Sequence, residues 1–156
     1  MESIVAFDSG PLSLEGALNR CSEQKAAVIS HPHPLYGGTM DNAVVLTIAR
    51  AFHKKGFTTL RFNFRGVGRS QGGFDNGKGE VDDVRSALAY LEDEGFTENI
   101  LAGYSFGARM NAMAVSEGLT VTDHVMISPP AGFMSFDELG QMPDTGLMDC
   151  PLSPDS

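Results

Sequence analysis

The chain has 156 residues, 42% hydrophobic and 20% charged, with a net charge of −9. That length and apolar content suit one globular domain, 1–156, and exclude a disordered chain. The acidity argues against an electrostatic nucleic-acid binder, no Lys/Arg run suits an anionic membrane surface, and Cys21 and Cys150 lack the spacing of a zinc site or disulfide framework.

The first residues, Met1 to Val5, lack the basic and apolar regions of a signal peptide, and no apolar run approaches spanning length. A cytoplasmic, soluble protein with no membrane partner is expected. Ile4–Phe7 and Leu12–Leu18 flank the turn signal Ser9-Gly10-Pro11 and read as an antiparallel pair. Ala26–Ser30 is a run of buried-strand type. Val44, Val45, Ile48 and Phe52 recur at helical spacing over 42–55, with Asp41 as the expected cap and Gly56 as the stop. Thr58–Phe64 reads as the next strand, followed by a glycine-rich loop over 66–79.

A second helix is expected from about Glu80, where Val81, Val84, Leu88 and Leu91 share a face. Asn99–Ala102 reads as a strand, Ala108–Ser116 as a helix, and Asp123–Ser128 as a sixth strand. Gly146–Met148 gives a weak strand start, broken by Pro151 and Pro154. Strands alternating with helices predict an α/β layering around a mostly parallel sheet.

Two segments match G-x-S-x-G: Gly68-Arg69-Ser70-Gln71-Gly72 and Gly103-Tyr104-Ser105-Phe106-Gly107. A nucleophilic serine at this spacing needs a strand immediately before it and a helix immediately after, which turns the hydroxyl outward. Ile100-Leu101-Ala102 and the helical run from Ala108 satisfy that at Ser105. Ser70 lies beyond its strand and is followed by Gly72-Gly73, which predicts a loop serine. The alternative for Ser105 is an ordinary helix cap.

His31-Pro32-His33-Pro34-Leu35-Tyr36-Gly37-Gly38 follows the third strand. Acyl transfer needs backbone donors for a developing oxyanion: one from the residue after the serine, Phe106, and one from such a loop. Pro32 and Pro34 have no N–H, which leaves His33, with Leu35 as the fallback. The imidazoles of His31 and His33 form an H-x-H pair, but no third metal ligand is evident. Loop packing with backbone hydrogen bonds is the expected role, with no metal and no cofactor.

The segments HPHPLYGGTMDNAVV, LRFNFRGVGRSQGGFDNGKGEVDDV and LAGYSFGA resemble the small bacterial α/β-hydrolases related to dienelactone hydrolase, over about residues 4–139. The resemblance implies a three-layer α/β-hydrolase fold, with a sheet of eight mostly parallel strands in the full family. It implies hydrolysis of a small-molecule ester or acyl bond through an acyl-serine, as in a carboxylesterase. Ser105 is then the nucleophile, and Phe106 and His33 are the oxyanion donors. Tyr36, Tyr104 and Phe133 are the candidate pocket residues, with core filling an equal alternative for Phe133. Asn63-Phe64-Arg65-Gly66 becomes the turn after the fourth strand. Arg65 is expected to pair with Asp75, Glu80 or Asp82, with binding of a substrate anion as the lesser alternative.

The family's triad order is Ser, then Asp or Glu, then His. After Ser105 the only histidine is His124, expected at the wrong end of its strand, and the acid candidates are Asp137, Asp144 and Asp149. Measured against the family, the chain reads as truncated, lacking the last two strands and helices and the catalytic histidine. An impaired serine esterase is the first reading. A non-catalytic remnant, pairing as a homodimer through an exposed edge of the sixth strand, is the second.

Overall fold

Gly10, at φ +56°, closes a two-residue turn that pairs β1 (Glu2–Ser9) with β2 (Leu12–Asn19) antiparallel, in register from Glu2 against Asn19 to Ser9 against Leu12. A computed structural model describes residues 2–129 of the chain. β3 (Lys25–Ser30) follows, its Ala26–Ser30 run wholly buried because helices cover both faces, which is why this strand shows no apolar alternation.

Helix α1 (Ala43–Lys54) is capped by Asn42, whose carboxamide oxygen accepts from the N–H groups of Val44 and Val45. The expected cap, Asp41, instead reaches Arg61 at 2.7 Å. α1 turns Val45, Ile48 and Ala49 onto the sheet, with Val44 and Phe52 packed beside them. β4 (Thr58–Phe62) is shorter than its apolar run suggests, because Asn63 and Phe64 leave the strand to start the glycine-rich loop. Helix α2 (Lys78–Asp93) begins two residues earlier than expected. Glu80 folds its buried carboxylate back onto the N–H groups of Gly77 and Asp75, both at 2.9 Å.

β5 (Glu98–Tyr104), helix α3 (Phe106–Ser116) and β6 (Asp123–Ile127) complete the described elements. The six strands lie in the order β1-β2-β4-β3-β5-β6. β2 meets β4 antiparallel, while β3–β4, β3–β5 and β5–β6 are parallel. Helices α2 and α3 pack on one face through Val81, Val84, Leu91, Phe106 and Met110, and α1 packs on the other, giving three layers. Among the described residues β1 and β6 are the outer strands, and no helix is long and apolar enough to cross a membrane. The Gly146–Met148 strand start lies outside the described residues.

Arg65 pairs with Asp83, not with Asp75, Glu80 or Asp82. Its Nη2 lies 2.8 Å from Oδ1, its Nε bonds both carboxylate oxygens, and its backbone N–H donates to Oδ2. The inward phase of α2 explains the difference: Asp83 is fully buried and also accepts from Ser9 Oγ at 2.7 Å. The pair fastens the glycine-rich loop to α2, and the carboxylate holds the Arg65 guanidinium firmly protonated.

Two histidines are buried in the framework. His31 bonds the Pro32 carbonyl through Nδ1 at 2.6 Å and accepts the Phe64 N–H at Nε2, which fixes the neutral tautomer with the proton on Nδ1. His124, in the first half of β6, buries both ring nitrogens with no partner among the described residues. Burial lowers the pKa of each from 6.5 to about 4, opposed by the Pro32 carbonyl for His31 and by Asp123 for His124.

Two outcomes are expected. Asp83→Ala leaves the Arg65 cation half-buried without its partner and should cost about 3–5 kcal/mol in urea unfolding, most of it regained in an Arg65→Met/Asp83→Leu double variant. Between pH 6.5 and 4 the unfolded chain protonates His31 and His124 while the folded protein does not, so stability falls as pH drops through that window. From pH 7 to pH 5 the loss should be about 2–4 kcal/mol, and His124→Phe should remove about half of the pH slope.

Candidate functional site

β3 sends the chain to α1 on one face of the sheet, while its neighbour β5 sends it to α3 on the other. Adjacent parallel strands that part in this way leave a crevice beyond their carboxyl ends, where ligands bind in α/β folds. Ser30 of β3 stands opposite Gly103 of β5, so the His31–Gly38 loop and Ser105 both open into that crevice.

Ser105 occupies the single residue between β5 and α3, at φ 55° and ψ −117°. This is a sparsely populated conformation for a residue with a side chain, one that persists only where its surroundings impose it. Here they do. A Cβ on Gly107 would lie 2.3 Å from the Ser30 carbonyl oxygen, and one on Gly103 would lie 2.6 Å from the Ala108 nitrogen. Helix and strand therefore pass too closely for any side chain at the two flanking positions. Ser30 Oγ also donates to Asn111 Oδ1 across the β3–α3 contact, and the Ser105 N–H donates to the Ile127 carbonyl of β6. Ser105 stands at the N-cap position of α3, but its side chain makes no cap hydrogen bond.

Ser70 is buried instead. Its hydroxyl donates to the Asn63 carbonyl and accepts the Glu15 N–H, which makes it a brace of the loop.

The loop after β3 is built to be stiff. His33 caps the short 3₁₀ turn η1 (Pro34–Tyr36) by accepting the Leu35 N–H at Nδ1, and its carbonyl accepts from Tyr36 and Gly38. The Leu35 N–H, the fallback donor, is thereby committed to the His33 ring. Phe106 opens α3, so its N–H has no acceptor within the helix. The rings of His33 and Phe106 lie 4.8 Å apart. Burial lowers the His33 pKa, partly countered by the charge of Glu80, and Nδ1, which accepts the Leu35 N–H, carries no proton.

Ser105, Phe106, His33 and Tyr36 line one cleft of about 380 Å³, together with Leu35, Phe74, Asn76 and Arg109. Of the other expected pocket residues, Tyr104 packs instead with the α1-side cluster, and Phe133 lies outside the described residues. Period-two side-chain direction accounts for Tyr104: it is the last residue of β5, and its side chain follows Ile100 and Ala102 to the α1 face. A larger cleft of about 610 Å³ runs along α1 and holds none of the residues around Ser105.

Phe74, Asn76 and Arg109 were not read from the sequence as site residues. Arg109 had a usable signal, since it stands one helical turn after Ser105. Phe74 and Asn76 had none, because the path of the glycine-rich loop rests on the Arg65–Asp83 and Glu80 contacts. Arg109 carries the one formal charge among the described residues lining the cleft.

Four histidines are described. His31 has both nitrogens committed to backbone, which rules it out as a metal ligand with His33. His53 sits on α1 along the other cleft. His124 pairs with Leu101, whereas Ile127 at the far end of β6 is the residue that meets Ser105. The expectation that His124 lies at the wrong end of the sheet therefore holds. The acid candidates Asp137, Asp144 and Asp149 lie outside the described residues.

No family model matches the chain. An uncharacterised protein of Rickettsia prowazekii is 41% identical over 130 residues, which are 81% of this chain and 55% of that one. The solved structure of an alpha-beta serine hydrolase homologue from Coxiella burnetii is 38% identical, with a TM-score of 0.80 over 88% of this chain and 67% of that chain. A lidless a/b serine hydrolase from Xanthomonas campestris is 36% identical, with a TM-score of 0.78 over 86% of this chain and 64% of that one. The chain spans about half the length of the curated relatives it matches and about two thirds of these solved chains. With the sheet order, the three layers and the turn at Ser105, this makes the chain a member of the α/β-hydrolase superfamily, akin to its serine-hydrolase homologues.

Proposed function

We propose that the chain carries the nucleophile and oxyanion half of a serine hydrolase site of carboxylesterase type, acting on a small-molecule ester. The observation that carries this reading is Ser105 in its constrained turn, sharing a cleft with the residues that bear the Phe106 and His33 N–H groups. In the proposed reaction Ser105 Oγ attacks the ester carbonyl. The negative charge that gathers on the carbonyl oxygen is met by the two backbone N–H groups, which need no reorganisation. The tetrahedral intermediate collapses to an acyl-serine, the alcohol leaves, and water then releases the acid.

The proton on Ser105 Oγ needs a base. None of the described histidines is hydrogen-bonded to Ser105. With an oxyanion hole but no base, catalysis falls to about 10³–10⁴-fold over water, so slow turnover is the expectation for these residues acting alone. The second reading, a non-catalytic module that pairs through its sheet, is favoured by the position of β6 as an outer strand among the described residues.

Hydrolysis of p-nitrophenyl acetate by the 156-residue chain should exceed that of Ser105→Ala, and an organophosphonate probe should label the former alone. Labelling at Ser105 with only slow turnover is the outcome for a site without its base. Equal rates and no labelling in either protein would sink the esterase reading in favour of the second.

A further inference from the structure

Three large hydrophobic side chains are strongly exposed among the described residues, and two of them, Leu35 at 65% and Tyr36 at 86%, are consecutive at the lip of the Ser105 cleft. Their exposure is not a matter of slack chain. Pro34 starts the turn that carries them, His33 Nδ1 holds the Leu35 N–H, and the His33 carbonyl holds Tyr36 and Gly38. Gly37, at φ 81°, closes the turn, and Gly38 lies against Pro32 so tightly that a Cβ there would fall 2.0 Å from the Pro32 oxygen.

The Tyr36 ring begins a row that runs into the cleft. It lies 4.7 Å from the His33 ring, which lies 4.9 Å from Phe74 and 4.8 Å from Phe106, centroid to centroid. Each spacing suits tilted or offset aromatic packing. Because His33 Nδ1 accepts the Leu35 N–H, its ring is neutral and no ring in the row carries a charge; among the described residues Arg109 is the one charged side chain lining the cleft. The row starts on an exposed, fixed aromatic face and ends at the residue after Ser105.

We propose that Leu35 and Tyr36 form a binding shelf for a flat apolar group of the substrate, so that the esters taken by this site carry an aryl ring. The inference rests on the esterase reading only for the ester itself; the shelf stands on its own geometry. A ring laid on Tyr36 covers apolar surface that is otherwise wet and extends the row by one member. The cleft continues from the shelf to Ser105, which places the ester bond of such a molecule at the serine. An aryl group on the alcohol side and one on the acyl side present the same face to Tyr36.

The test uses the full chain carrying Ser105→Ala, so that binding is read without turnover. Titration with 2-naphthyl acetate (aryl alcohol) and methyl 2-naphthoate (aryl acid), followed by NMR, should shift the Tyr36 ring signals with at least one of the two. The bound isomer identifies the side of the ester that carries the ring. A further Tyr36→Ala change should weaken that binding about tenfold, and Tyr36→Phe, which keeps the ring, should hold it within about twofold. Butyl acetate, apolar but not flat, should bind more weakly than the preferred naphthyl ester. Failure of both naphthyl esters to bind, or equal binding with and without the Tyr36 ring, overturns the shelf. Turnover separates the two ideas. Ser105-dependent hydrolysis with no Tyr36 effect leaves the esterase reading and removes the shelf, while ring binding without any Ser105 labelling does the reverse.

Discussion

Everything around Ser105 depends on how closely α3 approaches the carboxyl ends of β3 and β5. Gly107 rests against the Ser30 carbonyl and Gly103 against the start of the helix, at separations that leave no room for a methyl group. That contact holds Ser105 in a conformation the residue would not adopt in a free chain. The same contact brings the first turn of α3, with its unsatisfied N–H groups, against the loop that follows β3. A buried Ser30–Asn111 hydrogen bond spans that approach. The geometry of the serine, the start of α3 and the facing loop is therefore one packing problem with one solution.

The loops that complete the cleft are braced from beneath by polar groups with every role assigned. His31 joins the ends of β3 and β4 by donating to Pro32 and accepting from Phe64. Asn63 accepts the Met40 N–H and donates to Glu15, and Ser70 ties the Asn63 carbonyl to β2. Glu80 and Asp83 hold the far side of the glycine-rich loop. Buried polar groups satisfied this fully favour a single arrangement, because any displacement strands a donor or acceptor away from water. The cleft can thus be walled largely by loops and still be preorganised.

Much of this was legible in the sequence, for a reason that differs from element to element. The strands and helices followed from apolar period and from glycine and proline punctuation. Ser105 could be told from Ser70 because only one of the two sits between a strand and a helix. The errors share a cause. Asp41, Arg65 and the start of α2 each turned on which of several neighbouring carboxylates or amides faces inward, and a rotation of one residue about a helix axis decides that. Tyr104 was misplaced for the related reason that alternate residues of a strand face opposite layers. Phe74 and Asn76 reach the cleft through a loop whose path is set by tertiary hydrogen bonds, which leave no periodic trace in sequence.

The β3–β5 pairing has a consequence for how the protein forms. Its partners, from Lys25 with Glu98 to Ser30 with Gly103, have the greatest sequence separation of any strand pair described. The β1–β2 hairpin, by contrast, joins residues that are near neighbours in the chain. Closing a long loop costs entropy before any contact repays it, so hairpins assemble early and distant parallel pairs late. The turn at Ser105 is held by that late pairing and cannot acquire its shape before β5 has docked. During synthesis the hairpin, β3, α1 and β4 emerge ahead of the strand that creates the site, leaving β3 with one bare edge in the interval. The constraint that makes the serine available thus also sets the order of assembly, with the site among the last parts of the sheet to form.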